Sequence, residues 1–285
     1  MIFSKVYSSN QTIWEEKETI LFNELILSWN GIRPKQGKWI FWVGIGGEWL
    51  KYAEWGPNYQ KTFKSVGSFA ESNQDIVLTK NLCNHFKIKV EGEDLSQLHS
   101  MSVCLSNLAN YKLKIPSDLS SVMLKDVPRQ SQLTLDHPRS KDLCSPTATT
   151  TAMSYLCKKK FDPVSFANFS HDDEFDIHGN WVLNVAESYN QTQLPCHVER
   201  LSCFIQLHAQ LLKGRPCVVS IKGALAGAPK IYEQGHLICV IGFDNKQVYC
   251  IDSNFKDNES TFIGYEVSDF LKAWALRYNL AYVYY

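Results

Sequence analysis

Gln234-Gly235-His236-Leu237-Ile238-Cys239-Val240-Ile241-Gly242-Phe243-Asp244-Asn245-Lys246-Gln247-Val248-Tyr249-Cys250-Ile251-Asp252 reads as two strands joined by a turn. The first arm is apolar from Leu237 to Phe243, the second runs from Gln247 to Ile251, and Asp244-Asn245-Lys246 supplies the turn. The turn lies eight residues after His236 and eight before Asp252. Antiparallel pairing therefore returns both residues to one end of the sheet, within a residue or two of register. A carboxylate placed there fixes the imidazole tautomer and stabilises the imidazolium that forms when the ring takes a proton. A capping histidine and a turn aspartate are each common alone; their joint placement at matched strand ends makes the pair a candidate for general base and orienter.

Outward from this hairpin, Pro216–Ile221 and Leu280–Tyr284 read as further strands. Before them come three helical patterns: Pro146–Leu156, Trp181–Tyr189 and Ser202–Leu212, the last ended by Lys213-Gly214. Helices followed by antiparallel strands predict an α+β arrangement. The first helix is preceded by Asp142-Leu143-Cys144, with Ser145 as the expected N-cap and Pro146 at the first helical position. Three consecutive threonines, Thr149–Thr151, weaken its helix propensity, so burial of Ala148, Ala152, Met153 and Leu156 must hold it. A thiol at a helix N-terminus sits in a positive field that favours thiolate, which makes Cys144 the candidate nucleophile. Charge developing on an attacked carbonyl needs donors. The Cys144 N–H is one, and a glutamine amide from Val127-Pro128-Arg129-Gln130-Ser131-Gln132 is the other, with Gln132 preferred over Gln130.

Residues 1–120 have a different pattern. Short alternating or apolar runs, such as Leu21–Trp29, Trp39–Ile45, Phe86–Glu91 and Met101–Leu105, are separated by Asn30-Gly31, Gly46-Gly47 and Gly56-Pro57. They predict a β-sandwich, with Lys112–Ser117 as linker and a second domain over 121–285. The aromatic set Trp39, Trp42, Trp49, Tyr52 and Trp55 is expected to be mostly core, although such rings also stack sugars or proline-rich peptides.

The bulk composition narrows the function classes. The 285 residues are 45% hydrophobic and carry 29 basic against 29 acidic side chains, so no basic surplus points to nucleic acid or an anionic membrane. Lys158-Lys159-Lys160 is the one dense basic run, and its place after a helix suits the dipole. Nine cysteines, an odd number scattered through apolar runs, suggest free thiols in a reducing compartment. Met1-Ile2-Phe3-Ser4-Lys5 lacks signal-peptide grammar and no run approaches a membrane span. A soluble, cytoplasmic protein is the expectation, with signal-independent export left open and oligomeric state unaddressed. Cys196-His197 with Cys203 and His208 lacks a paired metal knuckle, and His171-Asp172-Asp173-Glu174 with Asp176 and His178 lacks calcium-loop spacing. No metal or organic cofactor is expected.

In order along the chain, Val127-Pro128, Ser131-Gln132, Leu143-Cys144-Ser145-Pro146-Thr147, Gly179-Asn180-Trp181, Gly235-His236-Leu237 and Ile251-Asp252 resemble the bacterial relatives of the bacteriocin-processing, double-glycine peptidases, a branch of the papain-like cysteine peptidases. The likeness covers about residues 122–285. It implies Cys144 as nucleophile, His236 as base, Asp252 as third member, Gln132 as oxyanion donor, and a peptide or protein substrate. Two features depart from that pattern. Twelve positions separate Gln132 from Cys144, where such peptidases usually have about six, and Ser253 follows Asp252 where proline is frequent. Ser28-Trp29 and Tyr52-Ala53-Glu54-Trp55-Gly56 resemble the accessory β-domain of some of these proteins. The expected activity is a cysteine peptidase; the same residues would also serve an acyltransferase or deamidase, and a binding protein with a vestigial catalytic half is the reading of a different class.

Overall fold

The structure is a computed structural model and describes residues 2–8, 11–112 and 118–285. The chain forms two compact units, each assembled from two stretches: 1–111 with 169–198, and 112–168 with 199–285. These bounds differ from the single division expected near residue 120. The expected linker Lys112–Ser117 lies, from 113 onward, outside the described residues. The difference arises because 169–198 finds its burial partners among the N-terminal strands.

The first unit holds two antiparallel sheets. One runs Ile2–Ser8, Leu98–Ser106, Phe22–Gly31, Ile76–Cys83, Ala70–Asn73, Ser65–Val66; the other runs Ile13–Glu16, Phe86–Gly92, Trp39–Ile45, Glu48–Trp55, Gln60–Thr62. Trp39–Ile45, too apolar for an edge, is central in its sheet. Rings join the two sheets: Trp29 stacks on Phe41 at 4.1 Å between centroids, and Phe22 meets Phe86 edge-on at 6.2 Å. Trp39, Tyr52 and Trp55 are buried here, while Trp49 is partly exposed, so most of the aromatic set is core.

The helices are α1 (Cys144–Cys157), α2 (Pro163–Ser170), α3 (Trp181–Thr192), α4 (Phe204–Leu212) and α5 (Val267–Ala275). Of these α3 belongs wholly to the first unit. Asn180 caps it, its Oδ1 accepting from the Leu183 N–H at 3.1 Å, and its apolar face lies against Phe22–Gly31. Buried polar contacts fasten the surrounding segment to the same sheets. Asp172, fully buried, accepts from Thr62 and from Asn180 Nδ2. Asn30 exchanges two hydrogen bonds with the Cys196 backbone, and Arg33 pairs with Glu187 at 2.9 Å while lying over the Trp55 ring.

In the second unit an antiparallel sheet runs Leu280–Tyr284, Cys217–Gly223, Tyr232–Phe243, Gln247–Ile251, Phe262–Glu266, with Val122–Met123 pairing along the far end of Tyr232–Phe243. α1 packs on its two central strands, and α5 lies against Cys217–Gly223 and the two strands nearest the Phe262–Glu266 edge. The strand Cys196–Arg200, α2, α5 and Phe262–Glu266 are additions to the elements read from sequence. Among the described residues no helix is long and apolar enough to cross a membrane.

Candidate active site

The hairpin turns at Asp244–Gln247, where the two backbones exchange hydrogen bonds and Asp244 Oδ1 accepts from the Lys246 and Gln247 amides. Cys239 pairs with Ile251 and Phe243 with Val248, and a bulge at Ile241 shifts the register between them. Continued by one step, the ladder sets Asp252 across from Ile238, two residues from His236 and on the same face of the pleat. His236 Nε2 meets Asp252 Oδ1 at 2.7 Å, and both side chains are buried.

The carboxylate is fully engaged. Asp252 Oδ1 also accepts from the Asn254 N–H at 3.0 Å, and Oδ2 accepts from the hydroxyls of Tyr232 at 2.7 Å and Tyr265 at 2.6 Å. Burial alone would raise its pKa; His236 and the two hydroxyls reverse the sign and hold it below its ordinary 3.8. The Tyr232 ring stacks on the imidazole at 4.2 Å between centroids, fixing the ring plane. Sequence reasoning passed over both tyrosines. Tyr232 did carry a signal: it lies four positions before His236 on one strand, hence on the same face. Tyr265 lies on Phe262–Glu266, a strand without a clear signal in the sequence.

Cys144 opens α1, and its thiol is hydrogen-bonded to the His236 ring and to the backbone amides of Leu237 and Ser145. Burial pushes the thiol up, but these partners outweigh it and hold Cys144 below its ordinary 9.0. Burial likewise pulls the His236 ring down, and Asp252 together with Cys144 carries it the other way, to about 9. Both shifts favour thiolate with imidazolium. With Nε2 on Asp252, Nδ1 is the nitrogen left for sulfur. Other buried thiols differ: burial pushes Cys217 up to about 12 and raises Cys239 and Cys250 well above their ordinary value too.

Ser145 is not the cap. Leu143 occupies that position without a side-chain bond, and the buried Ser145 hydroxyl instead meets the Tyr282 hydroxyl at 2.9 Å. The helix starts two residues earlier than expected, so Pro146 falls at its third position, still among those lacking an intrahelical donor partner. The first backbone bond of α1 runs from the Thr147 N–H to the Leu143 carbonyl. The Cys144 amide therefore lies ahead of the intrahelical ladder.

Gln132 is buried in a short turn beside this helix start. Its Oε1 accepts from the Ser253 hydroxyl at 2.7 Å, and its backbone N–H donates to the Ser253 carbonyl at 2.8 Å. Its Nε2 donates to the carbonyls of Lys141 at 2.7 Å and Ser140 at 3.2 Å. The longer interval before Cys144 is thus folded into two short turns, Gln132–Thr134 and Ser140–Asp142, gathered around the amide. Serine after Asp252 supplies a donor that proline would lack. Gln130 instead spends its amide on Ser131, Thr134 and Asn258 near the surface. The rejected metal candidates have other neighbours: His208 Nε2 meets the Ser120 carbonyl at 2.7 Å, and His171 bridges Asp173 and Asp176.

Residues 124–282, more than half of the chain, match the model of the Peptidase_C39 like family, and the chain belongs to that family. Among solved structures it is similar to a protein described as a C39-like peptidase from Bacillus anthracis, with 17% identity over 59% of this chain and 98% of that one, and a TM-score of 0.46. No curated protein matches the chain.

Proposed function

We propose that this protein is a cysteine peptidase that hydrolyses an amide bond in a peptide or protein, with Cys144 as nucleophile, His236 as general base and acid, and Asp252 as orienter. The observation that supports it best is the buried 2.7 Å contact between His236 and Asp252, with the other side of the ring on a thiol at a helix N-terminus. Thiolate attack on the carbonyl carbon forms the C–S bond and moves the π electrons to oxygen. The Cys144 N–H at the helix tip and the Gln132 amide are the donors for that oxyanion. Binding it requires Gln132 to redirect its weaker bond, the one to the Ser140 carbonyl. Collapse of the intermediate expels the amine, which takes its proton from His236 and leaves a thioester. Neutral His236 then deprotonates a water that attacks the thioester; the acid departs and the sulfur is regenerated. We further read the two-sheet unit as an accessory β-sandwich and the second unit as the papain-like catalytic body.

The test is alkylation with iodoacetamide near pH 6, mapped by mass spectrometry. Labelling is expected to concentrate on Cys144, whose thiol is depressed, and to fall away in His236→Ala. Uniform slow labelling of all nine cysteines would leave no activated pair and sink the proposal.

A further inference from the structure

Beside the C-terminal half of α1 lies a groove of about 520 Å³, built wholly from the second unit and separate from the residues assigned to catalysis. Its charged lining is Arg129, Lys158, Lys159 and Lys160 against the single acid Asp126. Arg129 is already paired with Glu259 at 3.1 Å. The three lysines are exposed and have no ion-pair partner among the described residues. Lys158 rests over the Tyr155 ring at 3.9 Å and Lys159 over Phe161 at 5.4 Å, so ring faces carry the cations at the groove wall.

Thr151 also lines this groove. Helical threonines commonly return their hydroxyl to the carbonyl four residues back, as Thr147 does to Leu143 and Thr150 to Pro146. Thr151, a groove-lining residue 97% buried, has no hydrogen-bond partner for its Oγ1 among the described residues; the same holds for Thr149, which does not line the groove. A buried hydroxyl left without a partner is unfavourable and calls for a polar atom from outside.

We propose that this groove binds an acidic stretch of polypeptide, as an exosite for the substrate. The lysines match carboxylate side chains, Thr151 matches a backbone carbonyl, and Pro128, Tyr155 and Pro163 offer apolar wall to the chain between them. An isolated small anion would use the charge and leave that wall bare. Thr151 lies seven residues beyond Cys144 on α1, and Lys158, which caps its end, lies fourteen beyond, about 10 and 21 Å at the helical rise. An extended chain covers that distance in roughly three to six residues, which sets the minimum spacing between the acidic stretch and the scissile bond. The role assigned to the groove rests on the peptidase reading.

The test separates the two by measuring binding without turnover. Full-length Cys144→Ala protein is titrated against a dye-labelled peptide containing a run of glutamates, and against a glutamine-substituted control, by fluorescence anisotropy. Expected are preference for the acidic peptide, weakening with salt, and roughly tenfold weaker binding when Lys158, Lys159 and Lys160 are all replaced by Gln. Thr151→Val should also weaken binding while leaving the salt dependence unchanged. Equal affinity for both peptides, indifference to the triple substitution, or displacement by inorganic phosphate as effective as by unlabelled peptide would each overturn the exosite. Binding as expected in a protein whose wild type cleaves no peptide would keep the acidic-peptide site and remove the peptidase reading. Cleavage indifferent to acidic residues would do the reverse.

Discussion

Asp252 accepts four hydrogen bonds while shut away from solvent, and the arrangement governs how the neighbouring ring titrates. The ring's pKa is raised to about 9 and the thiol's lowered from 9.0. Below the thiol's pKa a proton sits on sulfur; above the ring's pKa the imidazolium is lost. The reactive ion pair therefore occupies the window between them, and kcat/KM against pH should be bell-shaped with its alkaline limb near 9. Each limb belongs to the coupled pair. The linkage to stability has a fixed sign. Since the folded pKa of His236 is raised above 6.5, its contribution is complete below that value and vanishes as pH rises through about 9. That of Asp252, whose pKa is lowered, is present above its ordinary 3.8 and lost as pH falls. Tyr265→Phe removes one donor from a buried carboxylate. A hydrogen bond to a charged group is worth roughly 1.5–3 kcal/mol, so kcat/KM should fall about tenfold or more. The carboxylate, less satisfied, would hold the imidazolium more tightly, moving the alkaline limb upward. A limb that stays in place would mean that Tyr265 has only a packing role.

At the scale of elements, the strand Tyr232–Phe243 enters the site through Gly235, whose φ of +98° belongs to the left-handed side of the map. A Cβ there would lie 2.0 Å from the Arg277 guanidinium, which donates to the Gln234 carbonyl next door. Gly235→Ala should therefore cost about 1–3 kcal/mol, read as a lower denaturation midpoint, and displace the His236 backbone enough to reduce turnover. This end of the molecule was legible early. Apolar arms of matched length around Asp244-Asn245-Lys246 fix a hairpin whatever surrounds it, so the meeting of His236 and Asp252 followed from counting. The start of α1 was legible to within two residues, since Pro146 limits where a helix can begin. The grip of Ser253 on Gln132 was not, because it joins residues 121 positions apart through side chains whose types alone suggest nothing. Nor was the home of α3, whose apolar period specifies a buried face but not the sheet that buries it.

The packing of α3 on strands far from it in sequence ties the stability of one part of the chain to another. Residues 169–198 lie within the span matched by the family model, yet their packing partners are in residues 1–111. A chain cut to 121–285 would expose the apolar face of α3 and strand Glu187, which is buried against Arg33. Such a fragment is expected to lose cooperative unfolding in urea and to aggregate. Within the full chain, Glu187→Ala leaves the Arg33 cation buried without its partner and should cost about 3–5 kcal/mol. Cooperative unfolding of the fragment at the wild-type midpoint would refute the dependence.

The alternation of the chain between its two units also dictates a timetable for the nascent polypeptide. The N-terminal strands leave the ribosome through Ser106, but the helix that covers Phe22–Gly31 begins only at Trp181. For some seventy residues of synthesis, roughly 4–15 s at 5–20 residues per second, an apolar sheet face waits uncovered. Cys144 is already translated in that interval, while His236 and Asp252 are not. The proposed nucleophile thus meets His236 and Asp252 only after the first unit has been closed over.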